Sequence, residues 1–143
     1  GTTTAAAVNS TALAASTSLT VTGATVVGLH EHVTVDIVTL AGAGGTVYGF
    51  ASPVAGTITK IQSWLKGAIT TADAVITGKI GAVAITNGVV TIAQVDSAQG
   101  DVDVANPTAA NTVAVGSNVN FTVSGTQDAV IGATLTVSIL RSA

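Results

Sequence analysis

Residues 118–123, NVNFTV, and residues 134–139, TLTVSI, decide the fold. In the first, Val119, Phe121 and Val123 alternate with Asn118, Asn120 and Thr122. In the second, Leu135, Val137 and Ile139 alternate with Thr134, Thr136 and Ser138. A period of two sends every second side chain to the same face of a strand. Each segment therefore reads as a strand with one buried and one wetter face, the pattern of an antiparallel sheet.

The same period recurs upstream. Leu19, Val21 and Gly23 alternate with Thr20 and Thr22, and Val33, Val35 and Ile37 with His32, Thr34 and Asp36. A Gly-rich turn at Ala41–Gly45 precedes a short strand around Val47–Ala51. Pro53 and Gly56 then punctuate before a longer strand, Thr57–Lys66. Ala74, Ile76 and Ile80 line one face of the next strand, with Val75, Thr77 and Lys79 on the other. Asn87-Gly88 lies between the apolar segments 80–85 and 89–93, and its tolerance of positive φ predicts a type I′ hairpin turn there. Ser97–Asn111 reads as a long loop or a short helical turn after Pro107. Eight or nine such strands, with no helical period and no fixed repeat, predict an all-β protein, an antiparallel β-sandwich or jelly roll. Residues 1–15, Thr/Ala-rich and without a period, read as an extended N-terminal arm or a disordered terminus, leaving 16–143 as the β-sandwich domain.

Composition supports strands and limits chemistry. Of 143 residues, 48% are hydrophobic and only 8% charged, against about 25% charged in an ordinary soluble domain. The apolar residues are mostly Val, Ile and Ala among Thr, Ser and Gly, and β-branched side chains suit sheets better than helices. So neutral a chain needs a place for its apolar surface, and a permanent partner surface supplies one. The only basic residues, Lys60, Lys66, Lys79 and Arg141, are too few to track nucleic-acid phosphates. Without Cys there are no disulfides. Residues 1–29 are uncharged but lack the basic n-region of a secretory signal. Ile37–Thr59 is also uncharged, but its glycines and Pro53 break any membrane-spanning helix. Gly1 is what removal of an initiator Met leaves, and Ala5 stands where a myristoylation pattern requires Ser or Thr. These features read as a soluble chain made in a cytoplasm, with no membrane partner.

Two clusters invite a chemical reading. His30, His32, Thr34 and Asp36 project to one side of a strand, so the two imidazoles could share a zinc ion, with the Asp36 carboxylate completing the shell, at a symmetry axis where copies converge. The plainer reading is the polar face of a strand backed by Val33, Val35 and Ile37. Asp96, Asp101 and Asp103 resemble part of a calcium loop, but the closing Glu is missing, which favours a solvated loop. No Gly-x-Ser-x-Gly elbow, spaced triad, assignable carboxylate pair or phosphate loop followed by a helix occurs, so an enzyme is not expected and no cofactor is implied. Among the few aromatics, Tyr48, Phe50 and Phe121 read as core filling. Trp64 shares a strand face with Lys60, Gln62 and Lys66 and reads either as core or as an anchor at a subunit interface. Val8 and Leu13 in the arm are the other interface candidates.

From Phe50 onward the chain resembles small β-proteins encoded among the structural genes of tailed bacteriophages. The resemblance rests on Pro-x-Ala-Gly-Thr-Ile at Pro53–Ile58, on Thr-Thr-Ala-Asp-Ala at Thr70–Ala74, and on the stretch Gly100–Val113 with its Gly-Asp-Val-Asp and Pro-Thr-Ala-Ala-Asn-Thr-Val runs. It covers about two-thirds of the chain. Such proteins are capsid decoration, or cement, proteins and head fibres. The resemblance implies a homotrimer bound to the major capsid protein on the outside of a virion made in the host cytoplasm, and it brings no catalytic residue. A head fibre or a host-surface glycan-binding adhesion module is the alternative it leaves open. A pilus-like bacterial subunit and a metal-dependent enzyme around His30 and His32 are the more distant ones.

Overall fold

The computed structural model describes residues 29–41, 46–125 and 130–142. Its elements are β1 (His30–Ile37), β2 (Val47–Ala51), β3 (Gly56–Leu65), β4 (Ala74–Ile80), β5 (Val83–Ile92), β6 (Val104–Ala105), β7 (Thr112–Val113), β8 (Asn118–Ser124) and β9 (Ala133–Arg141). Among the described residues there is no helix, so none long and apolar enough to cross a membrane. The arm with Val8 and Leu13, the boundary at residue 16, the segment Leu19–Gly23 and residues 42–45 of the Gly-rich turn lie outside the described residues.

The strands form two antiparallel sheets, one ordered β1-β9-β3-β6 and the other β2-β8-β4-β5. The two-residue strands β6 and β7 both pair with β3, at Ile61–Gln62 and at Gly56–Thr57, so they are two pieces of one interrupted edge strand. With those pieces counted as one, the pairing is nested. First pairs with last (β1 with β9), second with next to last (β2 with β8), then β3 with β6 and β7, and β4 with β5. A long antiparallel ribbon folded over on itself gives this order, which is that of a jelly roll.

The core lies between the sheets and is aliphatic apart from Phe121. Leu135, Val137 and Ile139 of β9, Ile58, Ile61 and Leu65 of β3, Ile76 of β4 and Val119, Phe121 and Val123 of β8 are all buried, as the period of two requires. Tyr48, Phe50 and Val33 pack against this cluster while partly exposed. One irregularity sets the outer surface. The β3–β9 register shifts between Ile58 and Lys60. The inward set therefore passes from Gly56 and Ile58 to Ile61, Ser63 and Leu65, and Lys60 and Trp64 turn outward.

One turn differs from expectation. Asn87-Gly88 is not a hairpin turn but lies inside β5, where the register against β4 jumps from Thr77↔Val89 to Lys79↔Ala84. The β4–β5 hairpin closes two residues after Ile80, through Gly81-Ala82, with Gly81 at φ 59. Positive φ at the first central residue alone is the type II′ pattern, for which Gly is the preferred residue. Asn87 uses its left-handed tolerance (φ 56) to form the bulge. The bulge carries Thr86 out to an antiparallel bridge with Ala109, and the Asn87 amide donates to Thr108 Oγ1 at 3.0 Å. Those bonds also hold the 97–111 segment as a loop containing β6, with no helical turn after Pro107.

Candidate functional site

The outer face of the first sheet gathers most of the residues singled out above. Three rows run across it, set by the registers of β1, β9, β3 and β6. His32, Ser138 and Lys60 share one row; Thr34, Thr136, Gln62 and Val104 the next; Asp36, Thr134 and Trp64 the third. Beyond β6 the hydrogen bonds carry the register on, from Ser63 N to Asp103 O at 2.8 Å and from Leu65 N to Asp101 O at 2.9 Å. Val102 therefore sits opposite Trp64.

Trp64 is 43% exposed, Val102 49% and Val104 46%. Together they form an apolar strip at the interrupted edge of the sheet, and the indole Nε1 lies beside Gly100, where a Cβ would come within 3.8 Å. Trp64 thus projects from the surface and is not part of the core. Val102 and Val104 escape the sequence reading because they fall in a segment taken as loop. The signal was present, since they alternate with Asp101 and Asp103 at a period of two.

At the opposite edge, His30 and His32 face outward from β1. Their rings are stacked, with centroids 6.2 Å apart and planes inclined by 14°. His32 Nδ1 and Ser138 Oγ share a hydrogen bond of 3.0 Å. Asp36 does not join them. It stands four residues, about 13 Å, farther along the strand, and forms an ion pair with Lys66. Its position at the other end of the row system, with a cation at hand, removes it from the ligand set the sequence suggested. Among the described residues no three His, Asp, Glu or Cys side chains are placed to hold one metal ion.

That statement covers the acidic segment too. Asp101 turns back on its own loop, its Oδ2 accepting from Ala98 N at 2.6 Å. Asp103 lies toward Ser63. Partial burial pushes its carboxyl above the ordinary value, the neighbouring Asp101 charge adds to the rise, and a hydrogen bond from Ser63 opposes it. This is the electrostatics of a folded turn and supplies no calcium shell.

Two of the three stretches that carry the phage resemblance come together in space. Gly56 pairs with Val113 and Thr57 with Thr112. Ile58 N donates to Asn111 O at 2.8 Å, and the Asn111 amide donates to Ile58 O at 2.8 Å. Thr70–Ala74 lies apart, leading into β4. No protein-family model matches the chain, and neither curated proteins nor solved structures include a match to it.

Proposed function

We propose that the chain is a structural protein of a tailed-bacteriophage virion, a capsid decoration or cement protein that binds the major capsid protein on the outer surface as a homotrimer and stabilises the head. The observation that carries the reading is the Trp64–Val102–Val104 strip on the body of a chain with only 8% charged residues. Exposed apolar surface gathered in one place marks a site of association, and Trp is among the residue types enriched at energetic anchors. The paired Pro53–Ile58 and Gly100–Val113 stretches build the same edge, so the resemblance and the strip point to one region. Burying apolar area there contributes about 25 cal/mol per Å² before association costs. A protein that binds only the assembled shell stabilises that state by mass action.

Particles assembled with and without this protein test the reading. Decorated heads retain their DNA at temperatures or osmotic shocks that open bare ones, and the isolated protein sediments as a trimer. Equal survival of both kinds of particle refutes the stabilising role. If the heads are equally stable and the protein binds glycans on an array, the head-fibre or adhesion reading replaces it.

A further inference from the structure

We infer that His30 and His32 form a two-imidazole chelate for a divalent transition metal of the nickel, copper and zinc group. This does not rest on the virion reading. Four observations carry it. The residues are i and i+2 on β1, so both rings leave the same face of the sheet. The ring centroids are 6.2 Å apart, so the two imidazoles lie within reach of one ion. Both side chains are exposed, so an ion reaches them without opening the fold. Ser138 engages Nδ1 of His32 at 3.0 Å.

The last contact matters most. A metal-bound imidazole typically has its second ring nitrogen held by a neighbouring polar group, which fixes the tautomer and aims the ligating nitrogen. In the tautomer whose Nδ1–H donates to Ser138 Oγ, the lone pair of His32 lies on Nε2. Ser138 is itself only 6% exposed and is anchored in β9, so this hydrogen bond holds the ring in a fixed direction. A tetrahedral ion about 2.1 Å from each nitrogen needs the two nitrogens about 3.4 Å apart, so binding turns the two rings toward each other from their parallel arrangement with centroids 6.2 Å apart. Neutral imidazole suits nickel, copper and zinc, and carboxylate-preferring calcium and magnesium are excluded by ligand type. Two protein ligands leave the other positions to water, consistent with the absence of a third ligating side chain among the described residues.

Calorimetric titration of the full chain with zinc chloride, and separately with nickel chloride, tests the inference. One ion binds per chain, and His30→Ala or His32→Ala each weakens binding at least tenfold, the scale on which a metal site responds even to loss of a supporting residue. Asp36→Asn leaves binding unchanged. In nitrogen-detected NMR, zinc shifts His32 Nε2 while Nδ1 stays protonated, a signature that general destabilisation does not produce. Melting curves taken without metal report any loss of fold in each variant, including that from leaving the buried Ser138 hydroxyl without His32, and binding is compared between folded proteins. No binding by the parent, or undiminished binding by the His30→Ala/His32→Ala double variant, overturns the inference, as does metal coordination at His32 Nδ1.

Discussion

Replacing Gly56 by Ala tests the ribbon at the point where three strands meet. Gly56 pairs with Arg141 of β9 on one side and with Val113 of β7 on the other. A Cβ built there would stand 2.2 Å from the carbonyl oxygen of Leu140 and 2.9 Å from Ile139 Cγ2. The oxygen belongs to a backbone held in register along β9, so no rotamer change relieves the clash. Either β3 or β9 must shift, and pairing is lost on at least one side of Gly56. Overpacking typically costs about 1–3 kcal/mol, and a rigid backbone neighbour places this site at the upper end, about 3 kcal/mol. A chain of this length loses roughly 4 °C of Tm per kcal/mol, so a drop of about 12 °C is expected. Gly81→Ala is the internal control. Its Cβ would meet nothing within 4 Å, but its φ of +59 is left-handed, which costs about 1–2 kcal/mol and about 4–8 °C. Calorimetric melts at one fixed protein concentration measure both, because association makes Tm depend on concentration. A Gly56→Ala protein that melts within 2 °C of the parent, or above Gly81→Ala, refutes the β3–β9–β7 arrangement.

Trp64→Ala removes a side chain that is 43% exposed, so monomer stability falls far less than the 3–5 kcal/mol typical of a buried Trp; on the proposed trimer reading, sedimentation velocity of the variant shows monomer where the parent shows trimer, and a variant that stays trimeric excludes the strip as the contact. Asn87→Ala places a Cβ-bearing residue without local hydrogen bonding at φ 56 and removes the bond to Thr108; it lowers the urea unfolding free energy by about 2 kcal/mol, whereas Asn87→Gly keeps the backbone and loses less. The Asp103 carboxyl has a higher pKa folded than unfolded, through burial first and the Asp101 charge second. The folded chain therefore binds more protons just above the ordinary Asp range, and stability falls as pH rises through that window. Asp103→Asn flattens that fall in melts taken across the acid range, and Asp101→Asn lowers the Asp103 pKa seen by carbon-detected NMR; no movement of that pKa refutes the coupling.

The strands were legible wherever one face is buried and one is wet. Residues 118–123 and 134–139 read correctly because each packs a single face onto the core, and β2 was delimited by its flanking breakers. Phe121 was legible as core for the same reason. The Asn87-Gly88 signal misled because positive φ serves a bulge as well as a turn, and local sequence does not reveal which of two nearby glycines closes the hairpin. Gly81 takes that role because it stands next to Ile80, the last residue of β4. β7 was hidden because a two-residue strand has no period to detect, and β6 because the short alternation of Asp101 and Asp103 with Val102 and Val104 stands among loop residues; only the fixed line of β3 gives Ala105 and Val113 something to pair with. In the candidate site, the outward face of His30 and His32 was readable from parity alone. The removal of Asp36 was not, since it depends on Lys66 arriving from β3 across β9. The pairing of Trp64 with Val102 likewise depends on a contact between residues 38 positions apart in sequence.

The sheet edges bear on how the proposed trimer would form from such a neutral chain. Each end of a β-sandwich sheet presents unpaired backbone groups, and proteins blunt such edges to prevent indiscriminate pairing. Here β5 carries a bulge bridged to the 97–111 loop, β2 is only five residues long, and β6 and β7 are interrupted pieces. β1 is longer, at eight residues, but carries His30, Glu31, His32 and Asp36, and polar and charged side chains oppose the docking of an apolar strand. Backbone pairing is thus disfavoured at every edge, while the apolar side chains of Trp64, Val102 and Val104 remain exposed on one face. Association driven through that strip is a side-chain contact of defined shape and not the open-ended addition of strands. It can therefore close into a small ring instead of a fibre. The imidazole pair lies on the far side of the same face, across β9 and β3, so metal binding and self-association can be removed one at a time. Trp64→Ala is expected to abolish the oligomer and keep zinc binding, and His32→Ala to do the reverse; loss of both properties in either variant would show that the two ends of the face act as one site.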